Sequence, residues 1–221
     1  MTSLATARAT QPPTGTRLDR AFFARSPVAL AQDLLGCVLV SRTPEGETRG
    51  RIVETEAYFG EDDPASHAAR LKRGRVLAMW GEPGIAYVYR SYGMHAMLNA
   101  VCEPPGVAAA VLIRALEPLA GIALMEERRG TRDLRQLCSG PGKLCQAMGI
   151  TLADNGLDLV TSDHLWIETG PRPDAIHASG RIGVSRGAEA ALRFFVAGSP
   201  FVSAHRRGKT APSLPAAYNE A

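Results

Sequence analysis

The 221-residue chain is 45% hydrophobic, with a formal net charge of +3 and a pI near 8.8, which is ordinary globular composition with enough apolar content for one sizeable core. No signal-peptide apolar region or membrane span is read, since the longest aliphatic run covers only residues 107–113; a soluble cytoplasmic protein without a membrane partner is expected, nucleoid-associated if bacterial. The mild basicity permits nucleic-acid binding without requiring it.

Residues 1–16, rich in Thr, Ala and Pro without apolar periodicity, predict a disordered tail. Helices are predicted over 18–25 and 27–35, the second with Ser26 as N-cap, Pro27 at the first helical position and Gly36 as a stop. CVLVS reads as a strand, and the turn-like TPEGET joins it to RIVETEAYFG (51–60) as a hairpin. On an extended 53–58, Glu54, Glu56 and Tyr58 share one face, and Val53, Thr55 and Ala57 the other. Carboxylates beside an aromatic ring suit an enzyme that holds a flat group next to an activated water; an edge strand with solvated glutamates fits the same ten residues. Pro64 is expected to start a short helix carrying His67. AYVYRSYGMHAMLNAV (86–101) reads as two strands reversing at Tyr92-Gly93, with Tyr87 and Tyr89 on one face and Met97 and Asn99 together on the return.

AAAVLIRALEP places Arg114 inside an apolar strand, where a charge needs a partner, and Glu54 and Glu56 are the obvious candidates. PLAGIALMEERR predicts an amphipathic helix with a solvated EERR end. CSGPGKLCQAMGI reads as a loop entering a helix, with backbone amides and Lys143 placed to hold an anion such as a phosphate; it lacks the Walker spacing, and generic helix-start chemistry is the better reading of this segment by itself. Strands and turns follow in DLVTSDHLWIET, GRIGVS and ALRFFVAGSPFVS, and residues 205–221 predict a polar tail. Cys37, Cys102, Cys138 and Cys145 show neither zinc nor redox spacing and read as core thiols, so no metal or other cofactor is expected. Three lysines leave few candidates for a Schiff-base nucleophile.

Taken together, ETEAY, His67, YVYRSYGM, Asn99, VLIRALEP, CSGPGKL and RIGV resemble the alkyladenine (3-methyladenine) DNA glycosylase family over roughly residues 17–203. The resemblance implies an α+β fold, a single mixed domain (17–204) with a curved antiparallel sheet, flanking helices and a protruding β-hairpin. It implies a monomer that removes alkylated or deaminated purines from double-stranded DNA without a metal. Glu56 then matches the general base, Arg114 a water-holding arginine, and the Ile182 backbone carbonyl a third water contact. Tyr58, His67 and Tyr89 match residues that sandwich the flipped base, and Asn99 one that crowds the guanine amino group. Tyr92 matches the hairpin wedge, with Met94 beside it, and Gly140 and Lys143 are assigned to the DNA backbone. The sequence departs from the family's pattern at Val76, where an asparagine is common, while Arg75 matches a family arginine; His95 occupies a variable position near the wedge. The alternative is a non-catalytic nucleic-acid-binding module using the tyrosines as a stacking platform. A nucleoside hydrolase fits less well, having no use for an exposed Tyr92.

Overall fold

The computed structural model describes residues 15–203. The expected tails lie outside that span, apart from Gly15 and Thr16, whose amides donate to the Glu168 carboxylate and the Thr169 hydroxyl. The first helix, α1, is only Arg20–Phe23, capped by Asp19, and α2 is Pro27–Asp33. Ser26 accepts from the Ala29 amide with Pro27 at the helix start, as expected. α1 ends short of Arg25 because Ala24, at φ −77° and ψ 64°, has already left the helical conformation.

Strands β1 (Val38–Thr43) and β2 (Gly46–Tyr58) form the expected hairpin, with Val38 opposite Arg51 and Thr43 opposite Gly46. No α-helix starts at Pro64. Residues 61–71 are turns: the Asp63 carboxylate accepts from the Phe59 and Ala65 amides, and the carbonyls of Asp63 and His67 close separate turns onto the Ser66 and Arg70 amides. A 3₁₀ helix covers Gly74–Trp80. Next come β3 (Ala86–Ser91), β4 (His95–Val101) and β5 (Ala110–Ala120). Helix α3 (Ile122–Arg129) starts later than predicted, because Pro118–Ala120 extend β5 and Gly121, at φ 71°, breaks the chain direction. Its EERR end is not merely solvated: Arg128 donates to Thr43 and the Ala147 carbonyl, and Arg129 to the Leu137 carbonyl. Helices α4 (Leu134–Leu137) and α5 (Pro141–Met148) precede β6 (Leu165–Glu168), β7 (Ile176–Ser179) and β8 (Arg193–Val196).

All strand pairings are antiparallel, in the order β3-β4-β5-β2-β1-β6, with β8 pairing both β2 and β7. The result is a curled sheet with flanking helices, a single α+β domain. β2 is its spine: it pairs with β5 along one edge, and with β1 and then β8 along the other. Its register against β5 shifts between Ile52 and Glu54 and again between Glu54 and Thr55, leaving Val53 and Arg114 as extra residues on their strands. These bulges let Ile52 and Ala57 enter the same core, as do Ile113 and Leu116, although strict alternation would send each pair to opposite faces. That core is filled from α2 and α5, while a smaller cluster of Val76, Met79, Tyr87 and Val101 packs under β3 and β4. The four cysteines are buried free thiols, as expected, and burial pushes Cys37 up to about 11.

Candidate active site

Because β2 is hydrogen-bonded on both edges at residues 54–56, Glu54 and Glu56 are fully buried, which excludes the solvated edge strand. On the opposite face Thr55 donates to the Ala31 carbonyl of α2 at 2.7 Å. The expected sharing of one face by Glu54, Glu56 and Tyr58 is reflected in their contacts. The extra residue on β5, Arg114, donates from Nε to Glu54 Oε1 at 2.9 Å and reaches Glu56 Oε2 with Nη1 at 3.2 Å. Tyr58 donates its hydroxyl to Glu56 Oε2 at 2.8 Å.

The two carboxylates have different surroundings. Glu54 Oε1 also accepts from Arg193 Nε and Ser203 Oγ, each at 2.7 Å, and Oε2 accepts from the Ser203 amide at 2.7 Å. Burial opposes its charge, but the Arg114 and Arg193 guanidiniums and these donors outweigh burial and hold the carboxyl below its ordinary range. Glu56 has less compensation. Burial dominates and pushes its carboxyl up, against the lowering pull of Arg114, the Ile182 amide and Tyr58. The Ile182 contact is made by the backbone N–H, which donates to Glu56 Oε1 at 2.7 Å.

Above Glu56 opens a cavity of about 330 Å³, near the lower end of the roughly 300–1,000 Å³ range of small-molecule sites. Tyr58, His67, Tyr87, Tyr89, Asn99, Arg114 and Ile182 contribute to its wall, Tyr92 stands at its rim, and Glu56 lies behind Tyr58 and Arg114. The His67 ring meets Tyr89 edge-on at 4.4 Å between centroids, and its Nδ1 lies 2.7 Å from the Tyr87 hydroxyl. Burial, with Arg70 adding to it, pushes the imidazole down and favours its neutral form. Burial also pushes the Tyr89 phenol up to about 12. Asn99 is anchored through Nδ2 to the Tyr87 carbonyl at 3.0 Å. An aromatic cage of uncharged rings beside a buried carboxylate is equipped to stack a flat base and activate water next to it.

At the β3–β4 reversal Tyr92 and Gly93 both take positive φ, 48° and 73°, as primed hairpin turns demand. Tyr92 is 86% exposed and Met94 75% exposed, an unusual display for large apolar side chains. His95 packs against Gly142, so the hairpin is braced on the start of α5. There Lys143 donates to Gln136 and Ser139, and a second cavity lined by Arg135, Gly140 and Lys143 shares Arg114 and Ile182 with the first. Arg75, matched to a family arginine, donates to the Leu152 carbonyl, and Val76, which departs from the family's pattern, is buried beneath the cavity with Met79 and Tyr87.

Sequence reasoning did not assign roles to Tyr87, Asp63, Arg181, Arg193 and Ser203. Tyr87 shares a strand face with Tyr89 and was open to discovery by alternation. Arg181 stands within RIGV, but its partner Asp63 is far away in sequence, and Arg193 and Ser203 reach Glu54 only after the chain closes.

The family model described as methylpurine-DNA glycosylase matches residues 21–200. A Rubrobacter xylanophilus protein is 55% identical over 167 residues, covering 75% of this chain and 86% of its own. A Chlorobaculum tepidum protein is 47% identical over 202 residues, 90% of this chain and 94% of its own. A Rhodopseudomonas palustris protein is 50% identical over 189 residues, covering 86% and 92%. All three are similar to this chain and carry the name of a 3-methyladenine DNA glycosylase.

Proposed function

The chain belongs to the methylpurine-DNA glycosylase family, and from that premise we propose that it flips alkylated or deaminated purines out of duplex DNA and removes them with a Glu56-activated water. As a member of that family it is a DNA-repair hydrolase that cleaves the N-glycosidic bond of alkylated bases in DNA. The observation that carries the finer reading is the pair of neighbouring carboxylates with opposite shifts, of which only Glu56, just behind the cavity wall, accepts from the wall residues Tyr58 and Ile182.

A carboxylate offers about four acceptor directions. Glu56 uses three, toward the Ile182 amide, the Tyr58 hydroxyl and Arg114, which leaves one for a water. In the proposed step that water's oxygen bonds to the sugar C1′, its proton passes to Glu56, and the glycosidic electron pair leaves with the purine. Arg114 and the Ile182 carbonyl hold the water, the Ile182 amide contact supporting only that this backbone lies at the carboxylate. A purine made cationic by alkylation leaves readily, so positioning water and stabilising a cationic sugar are the protein's main tasks. Water as nucleophile, leaving an abasic site, agrees with the absence of lysine from the described wall of the cavity.

Tyr58, His67 and Tyr89 sandwich and contact the base, and Asn99 crowds a guanine amino group. Tyr92, with Met94, fills the gap left in the duplex, which offsets part of the unstacking cost. Gly140 and Lys143 hold the backbone, and the enzyme acts as a monomer. The test is single-turnover release of hypoxanthine or 1,N6-ethenoadenine from a defined duplex. Wild type should release the base, and Glu56→Gln should lose about 10²- to 10⁴-fold in rate while still binding DNA. Equal rates remove Glu56 as the base. Binding without release of these bases or of 3-methyladenine points instead to the binding module.

A further inference from the structure

Asp63 and Arg181 form an ion pair beside the cavity that the proposed step does not use. Their side chains are 4% and 1% exposed, and the guanidinium meets both carboxylate oxygens, at 2.5 and 2.9 Å. We propose that the Asp63–Arg181 bridge is a positioning device that sets Glu56, Tyr58 and Ile182 relative to one another, and so governs the excision step rather than DNA binding.

Apart from a 3.4 Å contact of Arg181 Nη2 with the Gly187 carbonyl, the contacts of the pair reach segments that build the site. Arg181 Nη1 also donates to the carbonyl of Ala57, the residue between Glu56 and Tyr58, at 3.1 Å. The guanidinium lies over the Tyr58 ring at 4.7 Å from its centroid, fixing that ring in place. The next residue along the chain, Ile182, delivers the amide that holds Glu56 Oε1. On the other side, Asp63 accepts from the Phe59 and Ala65 amides, which fixes the end of β2 and the loop that leads to His67. One two-pronged contact therefore ties together three segments that belong to different parts of the chain. A bridge needed only for folding has no reason to converge on the carboxylate, the stacking ring and the carboxylate's backbone donor at once.

This inference rests on the glycosylase reading. Its test uses the full chain with Arg181→Lys, measured by single-turnover hypoxanthine release across pH, with duplex Kd and thermal midpoint alongside. Lysine keeps the charge, but it cannot make the fork to Asp63, the Ala57 contact and the planar stacking together. We expect excision to fall about tenfold or more while Kd stays within about twofold. The acid limb of the rate profile should move to higher pH, because a loosened Ile182 amide no longer helps to lower the Glu56 pKa. Asp63→Asn should reproduce the effect, and the double variant should lose little more than the worse single one. Wild-type rate and limb position in Arg181→Lys overturn the proposal, as does a loss that merely follows the unfolded fraction. An inactive wild type sinks the glycosylase reading itself; an active wild type with indifferent variants sinks only this inference.

Discussion

Glu54 and Glu56 stand two residues apart on one strand, yet each meets a different set of donors. Two guanidiniums and Ser203 surround Glu54, so its folded-state pKa is depressed and its stabilisation is present above the unfolded pKa and drains away as pH falls. Removing that charge leaves Arg114 and Arg193 buried without a full counter-charge. Glu54→Gln is therefore expected to cost about 3–5 kcal/mol in denaturant unfolding. Glu56 has the opposite sign: its raised pKa means that ionisation costs stability as pH rises, so Glu56→Gln should leave unfolding stability at pH 7 unchanged or higher while excision is lost. In the wild type, excision should fall away on acidification at a pH above the ordinary carboxylate value of 4.5, the pH at which the raised Glu56 takes up its proton. A rate profile that breaks at the ordinary value, or a destabilised Glu56→Gln beside a stable Glu54→Gln, would reverse the assignment.

At the scale of elements, the β3–β4 hairpin and the bulged β2–β5 pair do different jobs. The bulges keep Arg114 facing the carboxylates while the residues beyond it return to the core. The hairpin carries Tyr92 outward on a turn where a non-glycine residue adopts φ 48°, a conformation consistent with the wedge role we propose for it. Truncating that side chain, 86% exposed, removes little of the protein's own packing. Tyr92→Ala should slow excision from a fully paired duplex by about tenfold and slow it less opposite a mismatch, where unstacking is easier. Its thermal midpoint should barely move. Equal loss on paired and mismatched substrates would remove Tyr92 from the wedge role.

Over the whole molecule, the cavity, the hairpin tip and the start of α5 converge, since His95 packs on Gly142 and the second cavity shares Arg114 and Ile182 with the first. A net charge of +3 is modest, so local placement of cations has to carry phosphate binding. Lys143, held by Gln136 and Ser139 at the edge of that second cavity, is the cation we assign to this role. Lys143→Ala should weaken binding to damaged and undamaged duplex alike and flatten the slope of log K against log salt by about 1. An unchanged slope would take Lys143 away from the backbone.

Much of this was legible in the order of residues. Alternation along 53–58 put two carboxylates and a tyrosine on one face, Tyr92-Gly93 announced a reversal, and an arginine among aliphatics required an acidic partner; these are rules of short range that each segment obeys by itself. The family, too, could be named from ordered motifs. Alternation by itself could not separate Glu54 from Glu56, and only the motif match favoured Glu56, because the physical difference arises from Arg193 and Ser203, which arrive at Glu54 from the far end of the chain. Nor did the order of residues around Pro64 show that Asp63 would pair with Arg181, 118 positions away, in a run of turns rather than at the start of a helix. Local pattern determines which side chains share a face, but burial and long-range donors determine which carboxylate is charged, and those exist only once the sheet has closed.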